Sequence, residues 1–225
     1  MHWLEKWLFP PTCVITQQAC KNHDLHPDVI HDWQITQSIC PRCAEPSAQG
    51  HICGRCLRKP PTFYRAQIGF AYADSLRELL HQFKYQRRLY LSRVLAEAWY
   101  PRLETQQIDA LIPIPLHRAR LGQRGFNQAF ELARMLSRYS DIPLQQGLIR
   151  HQPAPSQTQL NAKQRARNLR HAFSIGATDL SHLNEVALID DVMTTGATMQ
   201  AAAHCLQQHA PHLKIQAWAL AKPYH

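Results

Sequence analysis

The residues best suited to chemistry lie in one short segment near the end of the chain. Four apolar residues, Val186 to Ile189, predict a strand that is buried on both faces. Two adjacent carboxylates, Asp190 and Asp191, come directly after it. A polar turn follows, and a helical pattern then runs from Met199 to Gln208. We call the polar turn the threonine turn, and its residues are Thr194, Thr195, Gly196, Ala197 and Thr198.

This order of elements is typical of a site for a phosphate monoester. A strand that ends in a polar turn and continues into a helix directs several backbone N–H groups, and the positive end of the helix dipole, at one point. The threonine hydroxyls add further donors. Asp190 and Asp191 are too close to the phosphate to bind it, but they suit the neutral hydroxyls of a ribose. The segment therefore predicts a ribose 5-phosphate site with these two aspartates as its catalytic residues.

The threonine turn has two other interpretations. The segment has no Gly-Lys-Ser/Thr ending, which argues against the P-loop of a nucleoside triphosphate site. An ordinary strand–turn–helix junction is the second alternative, but it leaves the paired acids and three hydroxyls without a role.

A second segment, after the apolar stretch at residues 109–115, has the composition of an anion site. Arginine guanidinium groups pair well with phosphate oxygens, and glycine lets the backbone bend around a ligand. Asn127 is also placed to cap the next helix. A diphosphate carried with Mg²⁺ would suit this segment, and so would the phosphates of a nucleic acid. The predicted contacts are Arg118, Arg120, Arg124, Gly125 and Asn127.

A third segment, from Pro155 to Phe173, is polar, basic and flanked by proline. This composition is typical of a mobile lid over a charged site, with a plain surface loop as the alternative. The predicted lid residues are Gln157, Arg165, Arg167 and Asn168.

The positive charge of the chain is concentrated in one region. The 225 residues carry a net charge of +9, and the stretch from Arg118 to Arg170 alone has ten lysines and arginines against two acids. Such a stretch indicates anionic partners, with a solvated basic surface as the alternative. A composition of 45% hydrophobic residues argues against disorder. No apolar run is long enough to span a membrane, and the first residues do not resemble a signal peptide, so we expect a cytoplasmic protein.

Six of the seven cysteines lie in the first sixty residues. Two closely spaced C-x₂-C pairs supply the four thiolates of a tetrahedral, structural Zn²⁺ site, namely Cys40, Cys43, Cys53 and Cys56. A dithiol redox pair is the alternative. A second zinc is a further hypothesis, with loss of that site as the simpler interpretation, and its ligands would be Cys13, Cys20, His23 and His26.

These segments need a scaffold that brings them together. Helical spacing at residues 76–95 and 126–139 alternates with predicted strands, and residues 75–78 resemble a capping box. Alternating strands and helices indicate an α/β fold with a parallel sheet, whose ligands collect beyond the carboxyl ends of the strands. The strands are predicted at residues 67–72, 109–115, 172–175, 186–189 and 214–221.

A linker-like stretch, Lys59-Pro60-Pro61, divides the chain. It predicts a cysteine-rich zinc-binding module at residues 1–61 and an α/β domain at residues 62–225. No internal repeat is visible in the sequence.

The threonine turn and its two aspartates resemble the 5-phosphoribosyl-1-pyrophosphate (PRPP) signature of type I phosphoribosyltransferases. Three segments are more specifically similar to the competence-protein ComF family, also called the GntX or amidophosphoribosyltransferase-like family. The resemblance covers residues 40–222, and it implies a phosphoribosyltransferase-like (Rossmann-like) domain with a cysteine zinc module. The three segments are PIPLHRARLGQRGFNQ, PSQTQLNAKQRARNLRHAF and ALIDDVMTTGAT.

The resemblance also implies a function. ComF-like proteins are implicated in natural transformation, where they handle single-stranded DNA after uptake alongside a helicase. We therefore expect a PRPP-binding protein of DNA uptake, with single-stranded DNA and a competence helicase as partners. An active phosphoribosyltransferase that transfers ribose 5-phosphate from PRPP to a nucleobase or amine is the alternative. A structural zinc protein with a vestigial site is a third interpretation.

Overall fold

The computed structural model describes residues 11–20, 23–151 and 172–224. A four-stranded sheet, in which every strand is parallel to its neighbours, is the main element. Its order is β1-β6-β5-β2, and a second sheet pairs β3 with β4. The strands are Arg65–Ala71 (β1), Ala110–Pro113 (β2), Leu148–Arg150 (β3), Phe173–Ile175 (β4), Glu185–Val192 (β5) and Lys214–Lys222 (β6). The predicted α/β fold with a parallel sheet is therefore confirmed.

The two strands in the centre of the sheet, β5 and β6, consist largely of continuous apolar runs. Residues 186–189 and 217–221 are fully buried. A strand that is covered on both faces needs such runs, because neither face meets water. The register pairs Asp190 with Ala219. Both aspartates therefore belong to the last residues of β5, where the sequence pattern had placed them after the strand.

The strand predicted at residues 172–175 exists but lies outside the parallel sheet. β4 pairs with β3 in antiparallel register, with Ile149 opposite Ser174. Both strands have only three residues, and β3 carries no strong pattern in the sequence. The pairing of two such short strands is decided by tertiary contacts rather than by periodicity.

The N-terminal part contains an internal repeat that the sequence did not reveal. It includes two short helices, Pro27–Asp32 (α1) and Gly54–Arg58 (α2), each preceded by a tight turn. In the first turn the N–H of Cys13 donates to the carbonyl of Gln18 at 2.8 Å. In the second, 27 positions later, the N–H of Cys40 donates to the carbonyl of Glu45 at 2.8 Å.

Further details of the two turns agree at the same spacing. Gln17 and Ala44 have left-handed φ angles of 59° and 55°. Isolated bridges join Thr12 to Ala19 and Ile39 to Pro46. The N-cap residues of the two helices are His26 and Cys53. Residues 12–32 and 39–59 are therefore two copies of one turn–helix unit.

The N-terminal part packs directly on the parallel sheet. Trp33 is fully buried, and its ring meets that of Phe70 edge-on with 5.3 Å between the centroids. Backbone hydrogen bonds join the N–H of Ala66 to the carbonyl of Pro41 and the N–H of Ala71 to the carbonyl of Trp33. These contacts fix the position of the cysteine-rich residues beside the sheet. The domain boundary near residue 62 stays a prediction.

Five α-helices belong to the α/β part of the described chain. A short 3₁₀ segment at Tyr100–Arg102 follows the second of them, and another at Ala48–Gly50 lies in the N-terminal part. None of the helices in the described residues combines the length and the hydrophobicity that crossing a membrane requires. The five helices are Asp74–Tyr85 (α3), Leu91–Trp99 (α4), Arg118–Arg124 (α5), Gln128–Ser140 (α6) and Ala197–His209 (α7).

The helical spacing predicted for residues 76–95 is divided between α3 and α4. Arg87, in the turn between them, has a φ of 55°, a left-handed conformation that a continuous helix does not contain. The predicted capping box is wrong, because Ala73 is the N-cap of α3 and makes no side-chain hydrogen bond. The hydroxyl of Ser75 instead accepts the indole N–H of Trp33 at 2.8 Å. The buried indole needs this acceptor.

Candidate functional site

The threonine turn joins the end of β5 to the start of α7, as the sequence predicts. Thr194 and Thr195 are exposed, and Gly196 is the N-cap of α7 with a left-handed φ of 74°. Glycine adopts this conformation without strain, which allows the tight entry into the helix. The backbone N–H groups of Thr198 and Met199 have no acceptor among the described residues. The start of a 13-residue helix is thus open towards a ligand, the arrangement that binds phosphate.

The side chains of Asp190 and Asp191 lie beside this turn and differ in their surroundings. Asp191 forms an ion pair with Lys84, and the two side chains are 13% and 17% exposed. Burial, followed by the charge of Asp191, raises the pKa of Asp190 to about 8. Burial acts in the same direction on Asp191, but the ammonium of Lys84 outweighs it and lowers the pKa of that carboxyl. Asp191 is therefore held in its ionised form, whereas Asp190 ionises with difficulty.

Lys84 is a site residue that the sequence did not identify by its chemistry. It lies in the last turn of α3, and burial opposes its charge while Asp191 and Asp190 together raise its pKa. The signal available in the sequence was the cationic run Lys84-Tyr-Gln-Arg87-Arg88 at the end of a helical pattern. No local pattern connects this run to the aspartates, because about a hundred residues separate them along the chain.

A basic cleft opens next to this ion pair. Its volume is about 310 Å³, and we define it by its lining residues, which are Lys84, Tyr85, Arg87, Arg120, Gln123 and Arg124. Arg124 donates to Oε1 of Gln128 at 2.8 Å, and its guanidinium lies 5.3 Å from the centre of the Tyr85 ring. Four cations around one small cleft create a positive potential that favours anions.

The other residues predicted for anion binding have different positions. Arg118 is exposed in the first turn of α5 and does not line the basic cleft. Gly125 ends α5 with a left-handed φ of 81°. Asn127 caps α6, as predicted, because its Oδ1 accepts the N–H of Ala129 at 3.1 Å. Its Nδ2 donates to the carbonyl of Ile114 at 2.9 Å, so this side chain fastens α6 to the end of β2.

Arg150 in β3 is a further cation near the aspartates. Its guanidinium lies 5.3 Å from the centre of the Phe173 ring. Burial lowers its pKa, while attraction to Asp190 opposes this and repulsion from Arg120 reinforces it. The segment between β3 and β4 includes the predicted lid residues Gln157, Arg165, Arg167 and Asn168, which lie outside the described residues.

Tyr85 lines the basic cleft, and two more exposed large side chains, Leu89 and Tyr90, follow it in the turn after α3. Tyr85 is 61% exposed, Leu89 is 46% exposed and Tyr90 is 50% exposed. Large side chains in such exposed positions are available for contact with a flat ligand. Aromatic residues nearer the core pack on one another instead. Phe126 packs on Phe83 with 5.2 Å between the ring centres.

The four predicted zinc ligands come together as one cluster. The sulfur atoms of Cys40, Cys43, Cys53 and Cys56 all lie within 4.8 Å of one another. Burial opposes ionisation of Cys40, but backbone N–H groups, first that of Cys53, lower its pKa to about 7. Four thiols at this separation, one of them poised to ionise, fit the tetrahedral sulfur site that Zn²⁺ prefers. The cluster leaves no open position, so the metal would stabilise the fold.

The residues considered for a second zinc do not form such a cluster. In the described part of the chain, the four-cysteine set is the only group of its kind. His23 pairs with Glu97 at 3.0 Å, and Nδ1 of His26 accepts the N–H of Asp28 as a helix cap. The repeat explains this, because Thr16 and Val29 occupy the positions that Cys43 and Cys56 have in the other copy.

The fold and the site together define a class of protein. It is an α/β protein with a four-cysteine cluster that could hold a metal ion and with a basic cleft beside the carboxyl end of a parallel strand. Comparison with models of protein families gave no match. The chain is 35% identical over 179 residues to competence protein F of Haemophilus influenzae, which covers 76% of this chain and 78% of that protein. It belongs to the ComF family.

Two further relatives agree with this assignment. DNA utilization protein YhgH of Escherichia coli is 32% identical over 195 residues, covering 83% of this chain and 85% of that protein. Competence protein ComFC of Bacillus subtilis is 28% identical over 196 residues, covering 83% of this chain and 79% of that protein. The match extends over most of each protein and is not limited to one motif.

Proposed function

We propose that this chain binds PRPP, or another 5-phosphoribosyl ligand, through a phosphoribosyltransferase-like domain and acts in DNA uptake. One observation carries the proposal. The open start of α7, the aspartate pair and the basic cleft lie at the same edge of the parallel sheet, joined by the ion pair between Lys84 and Asp191. This is the edge at which parallel sheets bind ligands.

Each part of this edge suits one part of the ligand. The N–H groups and hydroxyls of the threonine turn would hold the 5-phosphate. Asp190 and Asp191 would accept hydrogen bonds from the ribose hydroxyls, and Lys84 keeps the latter acid ionised for that purpose. Arg120 and Arg124 would bind the diphosphate, with Mg²⁺ entering as part of the ligand. The four-cysteine cluster would hold a structural zinc.

The role in DNA uptake is supported by the relatives, two of which are named as competence proteins and one as a DNA utilization protein. A basic cleft lined by the exposed ring of Tyr85 also favours single-stranded DNA as a second ligand. Phosphates would follow the cations, while a base stacks on this ring. PRPP and a 5′-phosphorylated strand would then share one site. A helicase partner, which the family resemblance implies, stays a prediction.

An active phosphoribosyltransferase is the alternative within this proposal. Transfer would break the bond between C1′ of the ribose and the diphosphate oxygen and form a bond from C1′ to a nitrogen of the acceptor. The basic cleft would stabilise the departing diphosphate, and the aspartates would stabilise the positive charge that develops on the sugar. Release of pyrophosphate from PRPP, measured with a panel of nucleobases and amines, tests for turnover.

The binding proposal is tested by replacing both aspartates. The variant Asp190→Asn with Asp191→Asn should lose at least tenfold in affinity for Mg²⁺–PRPP in titration calorimetry, because the ribose hydroxyls lose the ionised acceptor Asp191 and one oxygen acceptor of Asp190. The matched control carries Asp32→Asn with Asp74→Asn, two exposed acids away from the turn. It should bind like the wild type. Equal affinity of the test variant and this control would remove the ribose site.

A further inference from the structure

Lys222, the last residue of β6, is a buried cation outside the site just described. It is 2% exposed, and it is the only lysine or arginine that is buried among the described residues. A buried charge is costly unless it is paired and hydrogen-bonded. Its partners therefore show what the charge is used for.

The ammonium of Lys222 joins two distant parts of the molecule. Nζ donates to the backbone carbonyl of Thr194 at 2.5 Å and to Oε1 of Glu45 at 3.1 Å. Thr194 is the first residue of the threonine turn. Glu45 follows the first cysteine pair, two residues after Cys43. One side chain thus connects the phosphate end of the site to the cysteine cluster.

Glu45 is itself fixed by both cysteine pairs. Its carbonyl accepts the N–H of Cys40 at 2.8 Å. Its carboxylate lies 3.5 Å from the guanidinium of Arg55, which stands between Cys53 and Cys56. A metal held by the four cysteines would therefore hold Glu45 in place as well.

The bond from Lys222 has a consequence for the threonine turn. The peptide between Thr194 and Thr195 is trans and planar, so its carbonyl and its N–H point in opposite directions. Lys222 draws the carbonyl towards the cysteine cluster, which turns the N–H of Thr195 away from it. That N–H has no acceptor among the described residues. It is therefore free to donate to a ligand in the turn.

We propose that Lys222 is a positioning residue for the 5-phosphate and that the cysteine cluster, through Glu45 and Lys222, holds the threonine turn in its binding conformation. This rests on the proposed function of the turn. The basic cleft is not part of this connection. Loss of Lys222 should therefore weaken binding of a sugar phosphate and leave binding of inorganic pyrophosphate in the cleft unchanged.

The test compares two probes, ribose 5-phosphate and pyrophosphate, by calorimetry on the full-length, zinc-loaded protein. Lys222→Met should lower the affinity for ribose 5-phosphate at least tenfold, with pyrophosphate affinity within twofold of the wild type. Lys222→Arg, which keeps the charge and the donors, should restore most of the ribose 5-phosphate affinity. Glu45→Gln should reproduce part of the loss without altering a metal ligand.

Zinc removal completes the test. Chelation should weaken ribose 5-phosphate binding in the wild type but add little in Lys222→Met, because the connection is already broken. If the wild type binds ribose 5-phosphate and Lys222→Met binds it equally well, the positioning role is wrong while the phosphate site stands. If both probes weaken together, Lys222 merely stabilises the fold. If the wild type does not bind ribose 5-phosphate, the proposed function fails and this inference with it.

Discussion

Asp190 and Asp191 are neighbours in one strand, yet their side chains have opposite acid–base behaviour. Burial and the charge of Asp191 raise the pKa of Asp190, whereas Lys84 overcomes burial and lowers that of Asp191. A carboxylate that must ionise in such a place lowers the stability of the folded protein. Groups of this kind cluster at functional sites, where binding or catalysis needs them.

The raised pKa of Asp190 predicts a stabilising substitution. A group whose pKa is raised on folding contributes stability below its ordinary pKa, and this is lost as the pH rises towards about 8. Asp190→Asn removes the cost of ionisation and keeps the Oδ1 that accepts the N–H of Asp191. The variant should therefore exceed the wild type in free energy of unfolding by at least about 1 kcal/mol at about pH 9, with little difference at about pH 4. Urea unfolding across this range measures the effect.

Asp191→Asn is the matched comparison, and the expected sign is reversed. Its lowered pKa contributes stability above the ordinary range of an aspartate, which is lost as the pH falls through the lowered value. This variant should be less stable than the wild type at neutral pH, and the difference should shrink in acid. If the free energy of unfolding of the wild type and of Asp190→Asn changed in parallel with pH, the raised pKa of Asp190 would be wrong.

At the scale of elements, the repeated turn–helix unit shows one backbone stabilised in two ways. In residues 39–59 the interior of the unit is the cysteine cluster. In residues 12–32 the interior is apolar, and Cys13, Leu25 and Val29 belong to the main hydrophobic core with Trp33. In the first copy, apolar packing against the main core thus fills the interior that four cysteines fill in the second.

The repeat predicts that a second zinc site can be restored. Thr16→Cys with Val29→Cys would place thiols at the positions equivalent to Cys43 and Cys56, beside Cys13 and the N-cap His26. A set of three cysteines and one histidine is a common structural zinc site. Zinc content, measured by mass spectrometry, should rise from one to two ions per chain. As a control, adding Cys43→Ser to this double variant should lower the zinc content again to one ion per chain. If the double variant itself binds only one zinc ion, the two copies are not equivalent.

At the scale of the whole molecule, the basic cleft is assembled from separate parts of the chain. Lys84 and Arg87 come from α3 and the turn after it, whereas Arg120 and Arg124 come from α5. The sequence concentrates positive charge between residues 118 and 170, and of the cations described there Arg120 and Arg124 line the cleft while Arg118 and Arg138 do not. The electrostatic surface is therefore a property of the folded molecule and not of one segment.

A cleft of this kind predicts a salt-dependent affinity for single-stranded DNA. Arg120→Glu with Arg124→Glu should weaken binding to an oligothymidine and flatten the slope of log K against log salt by about 1.4, the contribution of two phosphate contacts. Fluorescence anisotropy at several salt concentrations measures both. The control, Arg138→Glu with Lys214→Glu, has the same charge change at exposed positions outside the cleft. Equal slopes for the two variants would show that the cleft is not the DNA contact.

Patterns within single segments determined much of this protein from the sequence alone. The apolar run before Asp190, the threonine turn with its glycine, the cap at Asn127 and the spacing of the four cysteines each act over a few residues. For this reason they predicted the parallel strands, the turn at the start of α7 and the four-cysteine cluster. Their physical cause is local, since burial, backbone conformation and ligand spacing are set by neighbours in the chain.

Only the tertiary structure decided which distant residues meet. It paired Lys84 with Asp191, moved the hydroxyl of Ser75 to Trp33, joined β3 to β4 and connected Glu45 to Thr194 through Lys222. In each case a buried polar group or an unpaired strand had to find a partner, and packing of the whole chain determined which partner was within reach. No pattern along the sequence encodes that choice.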